Sequence, residues 1–123
     1  MLYAILAYHR AGVVESWSRE ERDALIEDLH VVHRELTDEG IMGPAAGLDA
    51  TRTAVTLRDG VVMDGPFAET KEDLLGFYVL DCADRDAAIA AARALQRVNV
   101  SAVYEIREVR LSLPGKPLPA LDI

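Results

Sequence analysis

Cysteine is all but missing from this chain. Cys82 is the sole one in 123 residues, which excludes an intrachain disulfide and a cysteine-rich zinc site. Histidine is scarce as well. His9, His30 and His33 leave at most a sparse metal site, and no metal is expected. No apolar run approaches the ~20 residues that cross a bilayer, and Met1-Leu2-Tyr3 lacks the basic stretch of a signal peptide. The expectation is a cytoplasmic protein with no membrane partner. Positive charge is in deficit: 13 Lys and Arg face 21 Asp and Glu, for a net charge of −8. Such a chain repels phosphate backbones, so no nucleic-acid partner is expected. There is no internal repeat. No P-loop, dinucleotide fingerprint or Ser–His–Asp order is present, and no cofactor is expected.

What is present is enough for one domain with a real core, since half of the residues are hydrophobic. Leu2 to Tyr8 is apolar on both faces, as in a strand covered on both sides. Ser18-Arg19-Glu20-Glu21 reads as a capping box that opens a helix over roughly 19–39. That helix carries Leu25, Leu29, Val32 and Leu36 on one stripe, and Gly40 ends it in the left-handed region. Ile41 to Gly47 reads as a short bent strand. Thr53–Arg58 and Val61–Met63 flank Asp59-Gly60, the strongest short-range hairpin signal. Pro66, with no N–H to give, stops the second hairpin strand. Ala68 to Asp73 reads as a charged connection and Leu75–Leu80 as another buried strand. A second helix, capped by Asp84, presents Ala88, Ala91, Ala92, Leu95 and Val98, and Val103–Leu111 reads as a last strand.

The order β-α-β, hairpin, β-α-β fits an α+β fold: a ferredoxin-like split βαβ with an inserted hairpin, both helices lying on one face of an antiparallel sheet. The other face would then expose alternate residues of Leu2–Tyr8, too apolar for water. Such a patch implies a partner, most simply a second copy that packs sheet on sheet.

Asp64 to Glu72 reads DGPFAETKE. This string resembles the signature of the YCII-related family in its DGPF subgroup. The resemblance continues through Glu39-Gly40, Asp59-Gly60, Leu75-Gly76-Phe77-Tyr78 and Tyr104-Glu105-Ile106-Arg107. The expected domain is 1–112, followed by an extended Pro-rich tail over 113–123 that docks on a neighbour or frays. The resemblance implies a dimeric α/β-barrel of two ferredoxin-like protomers. It also implies small cofactor-free enzymes of the isomerase or lyase type acting on cyclic or aromatic acids, or else a non-catalytic, small-molecule-binding or regulatory protein that works with an extracytoplasmic-function sigma factor. A His–Asp pair is the site proposed for the enzymes of this family. Here the signature supplies Asp64.

The residues themselves admit two readings of Asp64. It is a general base at a strand end, raised by desolvation, or its side chain caps its own backbone in an Asx-turn. His33 lies about 70° from the centre of the helix stripe, where its ring can enter the cleft between helix and sheet and carry a proton, or sit half-buried on a carbonyl or a water. His30, about 130° away, is expected in solvent, and His9, after the first strand, either at the mouth of the sheet beside the cleft or, by preference, in a loop with no role. Asp64 and His33 are thus the candidate catalytic pair, expected in one cleft under the first helix. Tyr8, Phe67 and Tyr78 are the candidate ligand contacts, Tyr8 and Tyr78 because buried hydroxyls want partners. Cys82, beside Asp81, is expected to be unreactive.

Overall fold

The apolar run at the start of the chain is the second strand in from one edge of the main sheet. The structure is a computed structural model that describes residues 1–68 and 70–121. Glu69 of the signature, and Asp122 and Ile123 of the tail, lie outside the described residues. In chain order the elements are β1 (Leu2–Arg10), α1 (Arg19–Asp38), β2 (Met42–Gly47), β3 (Val55–Arg58), β4 (Val61–Asp64), β5 (Glu72–Asp81), α2 (Arg85–Val98) and β6 (Val103–Glu108). Strands β2, β5, β1 and β6 pair in that order, all antiparallel, while β3 and β4 form a separate two-stranded ribbon. This is a mixed α+β protein with the strand order of a split β-α-β arrangement.

The local signals act as read. The Ser18 hydroxyl accepts from the Glu21 N–H at 3.1 Å and the Glu21 carboxylate accepts from the Ser18 N–H at 3.2 Å, closing the capping box. At the other end of α1, Gly40 has φ +74°. The Gly40 and Ile41 N–H groups donate to the carbonyls of Thr37 and Leu36 at 3.0 and 2.9 Å, the paired bonds of a Schellman stop. Asp84 caps α2 by accepting from the Ala87 N–H at 2.9 Å. Asp59 and Gly60, at φ 51° and 78°, make the two-residue turn of a type I′ hairpin.

Tyr3, Ile5, Tyr78 and Leu80 project from one sheet face into the core, where they meet Val32 and Leu36 of α1 and Ala88, Ala91, Ala92 and Leu95 of α2. The alanines let α2 approach closely. Ile5, Leu80 and Leu95 are fully buried, and truncating any one to alanine would cost about 2–5 kcal/mol. Leu25 and Leu29, expected in the same stripe, are only half-buried, because the first half of α1 stands off the sheet and leaves a cavity beneath it.

Three boundaries differ from the sequence reading. His9 is not in a loop: β1 runs to Arg10, and His9 faces the core. The charged stretch before Leu75 is already strand, because Glu72 and Asp73 pair with Arg10 and His9 across the ladder. The last strand stops at Glu108, and residues 109–121 form no helix or strand. In β2, Gly43-Pro44 forms a bulge, two residues standing opposite Val79 alone. A side chain at Gly43 would strike the Val79 carbonyl.

Candidate functional site

The cavity under α1 has a volume of about 380 Å³. Its floor is made by small residues: Ala7 of β1, Gly76 of β5, and Ala45 and Gly47 of β2. Ala7 pairs with Gly76, and Gly76 with Gly47, so three neighbouring strands lack bulk at one level. Leu25, Ile26 and Leu29 of α1 form the roof, and Trp17 and Arg22 also line the space.

Two imidazoles reach this space. His33, one turn beyond Leu29, places Nε2 2.7 Å from the Tyr78 hydroxyl, with the two rings tilted at 58° and 5.3 Å between centroids. Burial lowers the His33 pKa, and His30 beside it acts in the same direction. Burial raises the Tyr78 hydroxyl well above the ordinary tyrosine value, with Tyr104 adding to it. Both partners are therefore neutral near pH 7, and the bond runs between an uncharged hydroxyl and an uncharged ring. Either tautomer is useful. With Tyr78 donating to Nε2, the phenol oxygen offers a lone pair to an incoming O–H. With Nε2–H donating to Tyr78, the phenol hydrogen is free to bind an incoming carbonyl or enolate.

The second imidazole, His9, is 4% exposed. Its Nδ1 lies 3.3 Å from the Ser101 hydroxyl, and its ring meets the edge of Trp17 at 5.1 Å. Burial lowers its pKa, opposed by a hydrogen bond with Asn99 and by Glu72. The Asn99 amide also donates to the Tyr104 hydroxyl at 3.2 Å. Sequence reasoning missed Asn99 and Tyr104 as neighbours of the cavity, and for His9 it preferred a loop without a role. For His9 a signal existed: it shares odd parity with Tyr3 and Ile5, and in a strand that parity means the same face.

The structure does not bring all the expected site residues together. His33 and Tyr78 meet in the cavity. Tyr8 has the other parity and lies on the open sheet face, where its hydroxyl donates to Glu105 at 3.4 Å. It lines a second, larger cavity of about 620 Å³ with Leu74, Pro66 and the 48–54 segment. That cavity contains no imidazole. Phe67 lines neither cavity and is 71% exposed, under the Arg58 guanidinium at 5.3 Å. Asp64 ends β4 on the separate ribbon, is exposed, and lines neither cavity.

The Asx-turn reading of Asp64 is absent too. Its carboxylate makes no hydrogen bond among the described residues. The turn is held instead by the Gly65 N–H donating to Ala54 at 2.7 Å and the Thr56 hydroxyl donating to the Gly65 carbonyl at 2.9 Å. Among the described residues, no group of three or more His, Cys, Asp or Glu is placed to hold a metal, and no helix is long and apolar enough to cross a membrane.

A family model described as the YCII-related domain matches residues 1–112. An uncharacterised protein of Rhizobium meliloti is 47% identical over 121 residues, covering 94% of this chain and 98% of that protein. The family match takes in every strand and both helices, including those that carry His9, His33 and Tyr78. The chain belongs to the YCII-related family.

Proposed function

We propose that the protein, within the DGPF subgroup, is a small cofactor-free enzyme of the isomerase or lyase type. It would move a proton on a small cyclic or aromatic acid held between α1 and the sheet. One observation carries this reading: the neutral His33–Tyr78 pair, 2.7 Å apart, at the wall of an apolar cavity. A proton leaving a ring hydroxyl or an acidic C–H ends on Nε2, either directly or by relay, Tyr78 passing its own proton to Nε2 as its oxygen takes the new one, and the same path run backward returns a proton elsewhere on the ring. Leu25, Ile26 and Leu29 suit a flat apolar body. Arg22 makes no ion pair among the described residues and suits its carboxylate.

The working form in this reading is a cytoplasmic homodimer of ferredoxin-like protomers, with the open sheet face buried between two copies as in a dimeric α/β-barrel. In that dimer Asp64, Tyr8 and Phe67 face the space between the two sheets, on the opposite side of the sheet from the His33–Tyr78 pair, where they would contact a ligand bound inside the barrel.

The test is hydrogen–deuterium exchange in D₂O, followed by proton NMR across a panel of small lactones, enol acids and hydroxybenzoates. The expected result is catalysed exchange at one carbon of one compound class. It should fall by roughly 100-fold or more in His33→Gln and Tyr78→Phe, in line with the loss of a general acid–base group. Saturable binding without exchange, together with recovery of a sigma factor in a low-salt pull-down, would replace this reading with a regulatory one.

A further inference from the structure

The β3–β4 ribbon is an anomaly in a protein of this size. It forms no ladder with the main sheet, and none of its residues joins the core cluster. A two-stranded hairpin alone in water is marginal at best. This one nevertheless leaves Val55, Leu57 and Val62 about two-thirds exposed, at 67%, 71% and 67%. The register places Val55 opposite Asp64 and Leu57 opposite Val62, so all four side chains share one face of the ribbon.

We infer that the ribbon is an arm that packs on a second copy of this chain, with Val55, Leu57 and Val62 seated against the partner's open sheet face at Leu6, Leu74 and Phe77. Three features select a second copy as the occupant. The first is area. In a two-fold contact each copy buries its own arm and its own sheet face. The arm leaves Val55, Leu57 and Val62 about two-thirds exposed, while on the sheet Leu74 is 39% exposed and Leu6 and Phe77 are half-buried, so the about 800 Å² per partner of a standard interface calls for both surfaces together.

The second feature is charge. The chain as a whole carries −8, yet residues 50–68 hold Arg52 and Arg58 against Asp59 and Asp64 and are neutral. On the sheet face, Glu105 lies 3.9 Å from Arg107. Two acidic copies can therefore meet here without the repulsion that opposes contact elsewhere. The third is self-consistency: the chain presents two apolar surfaces that each need cover, and exchange of arms covers both at once. Since Asp64 shares the arm's apolar face, docking turns it toward the partner.

This inference rests on the homodimer of the preceding reading but not on its chemistry. The experiment pairs sedimentation equilibrium with isotope-filtered NOEs in a mixed-label sample. Wild-type protein should sediment as a dimer at micromolar concentration, and Leu57→Glu with Val62→Glu should weaken dimerisation roughly 100-fold or more. Far-UV circular dichroism of that variant should stay native, because both residues lie outside the core. In the wild type, methyl NOEs should link Leu57 or Val62 of one copy to Leu6 of the other. A wild-type monomer overturns both the dimer and the arm. A dimer that survives the double substitution, or one without those NOEs, overturns the arm and leaves a sheet-only dimer standing.

Discussion

His33 on α1 and Tyr78 on β5 are 45 residues apart in sequence, and their polar atoms meet at 2.7 Å. The contact joins helix to sheet at the one level where neither fills the space between them. Removing the hydroxyl by Tyr78→Phe leaves the ring volume in place and strips His33 of its partner. The expected cost is about 1 kcal/mol, the net value of a neutral hydrogen bond, read from a urea melt. The loss of any proton-transfer activity should be far larger than that.

The two cavity-lining imidazoles set an acid limit on stability. Burial holds the pKa of His9 and His33 below the ordinary 6.5. Between those depressed values and 6.5 the unfolded chain binds more protons than the folded one. Their contribution is therefore complete above 6.5 and is lost as pH falls through the folded-state values. The melting temperature should drop on going from pH 7 to pH 5. NMR titration should give both rings midpoints below 6.5, and a midpoint above it for His33 would contradict the neutral pair.

Two glycines should fail in different ways. Gly65 has φ +94° with nothing within 4 Å of where a side chain would sit. Gly65→Ala should therefore cost only the conformational strain, about 1 kcal/mol. Gly76 has ordinary backbone angles, but a Cβ there would lie 2.6 Å from the Ala46 carbonyl oxygen. Gly76→Ala must push β2 off β5 and should cost about 1–3 kcal/mol. Equal denaturation midpoints for the two variants would show that the close approach at Gly76 is relieved at no cost.

Cys82 is buried, and its thiol pKa is raised, first by burial and then by Asp81. A disulfide reagent at pH 8 should label it only as fast as the protein opens, and in full once urea unfolds the chain. Stoichiometric labelling of the native protein within seconds would contradict the packing around it.

Asp64 should be nearly silent for stability. It is exposed, and its side chain takes part in none of the turn hydrogen bonds. Asp64→Asn should shift unfolding by less than about 0.5 kcal/mol, as for other surface changes. A loss well beyond that would mean that the carboxylate holds the turn after all.

What could be read from the sequence was the local part. Ser18 with Glu21, Gly40, Asp59-Gly60 and Asp84 each act within four residues of themselves, and each does what its chemistry dictates. The strand parity of β1 is legible as well, and it bears on Tyr8 and His9. Parity separates them, Tyr8 to the open face and His9 to the core. Where Asp64 stands relative to His33 is not legible in the sequence, because the path from one to the other crosses a ribbon that pairs with no other strand among the described residues. Glu72 and Asp73 read as a solvated loop, yet they are strand, because charge is a poor guide at a strand end, where alternate side chains reach water.

The floor of the cavity under α1 is a hole left by Gly47, Gly76, Ala7 and Ala45 rather than a gap opened by moving parts. A void made by omission is present before any ligand arrives. Entry should follow simple bimolecular kinetics, with an observed rate that climbs linearly with ligand concentration and does not saturate at an isomerisation step. The same origin makes the space easy to tune. A methyl added at Gly47, where a side chain would meet nothing within 4 Å, would narrow the space without disturbing the helix above it, whereas the same methyl at Gly76 would strike β2.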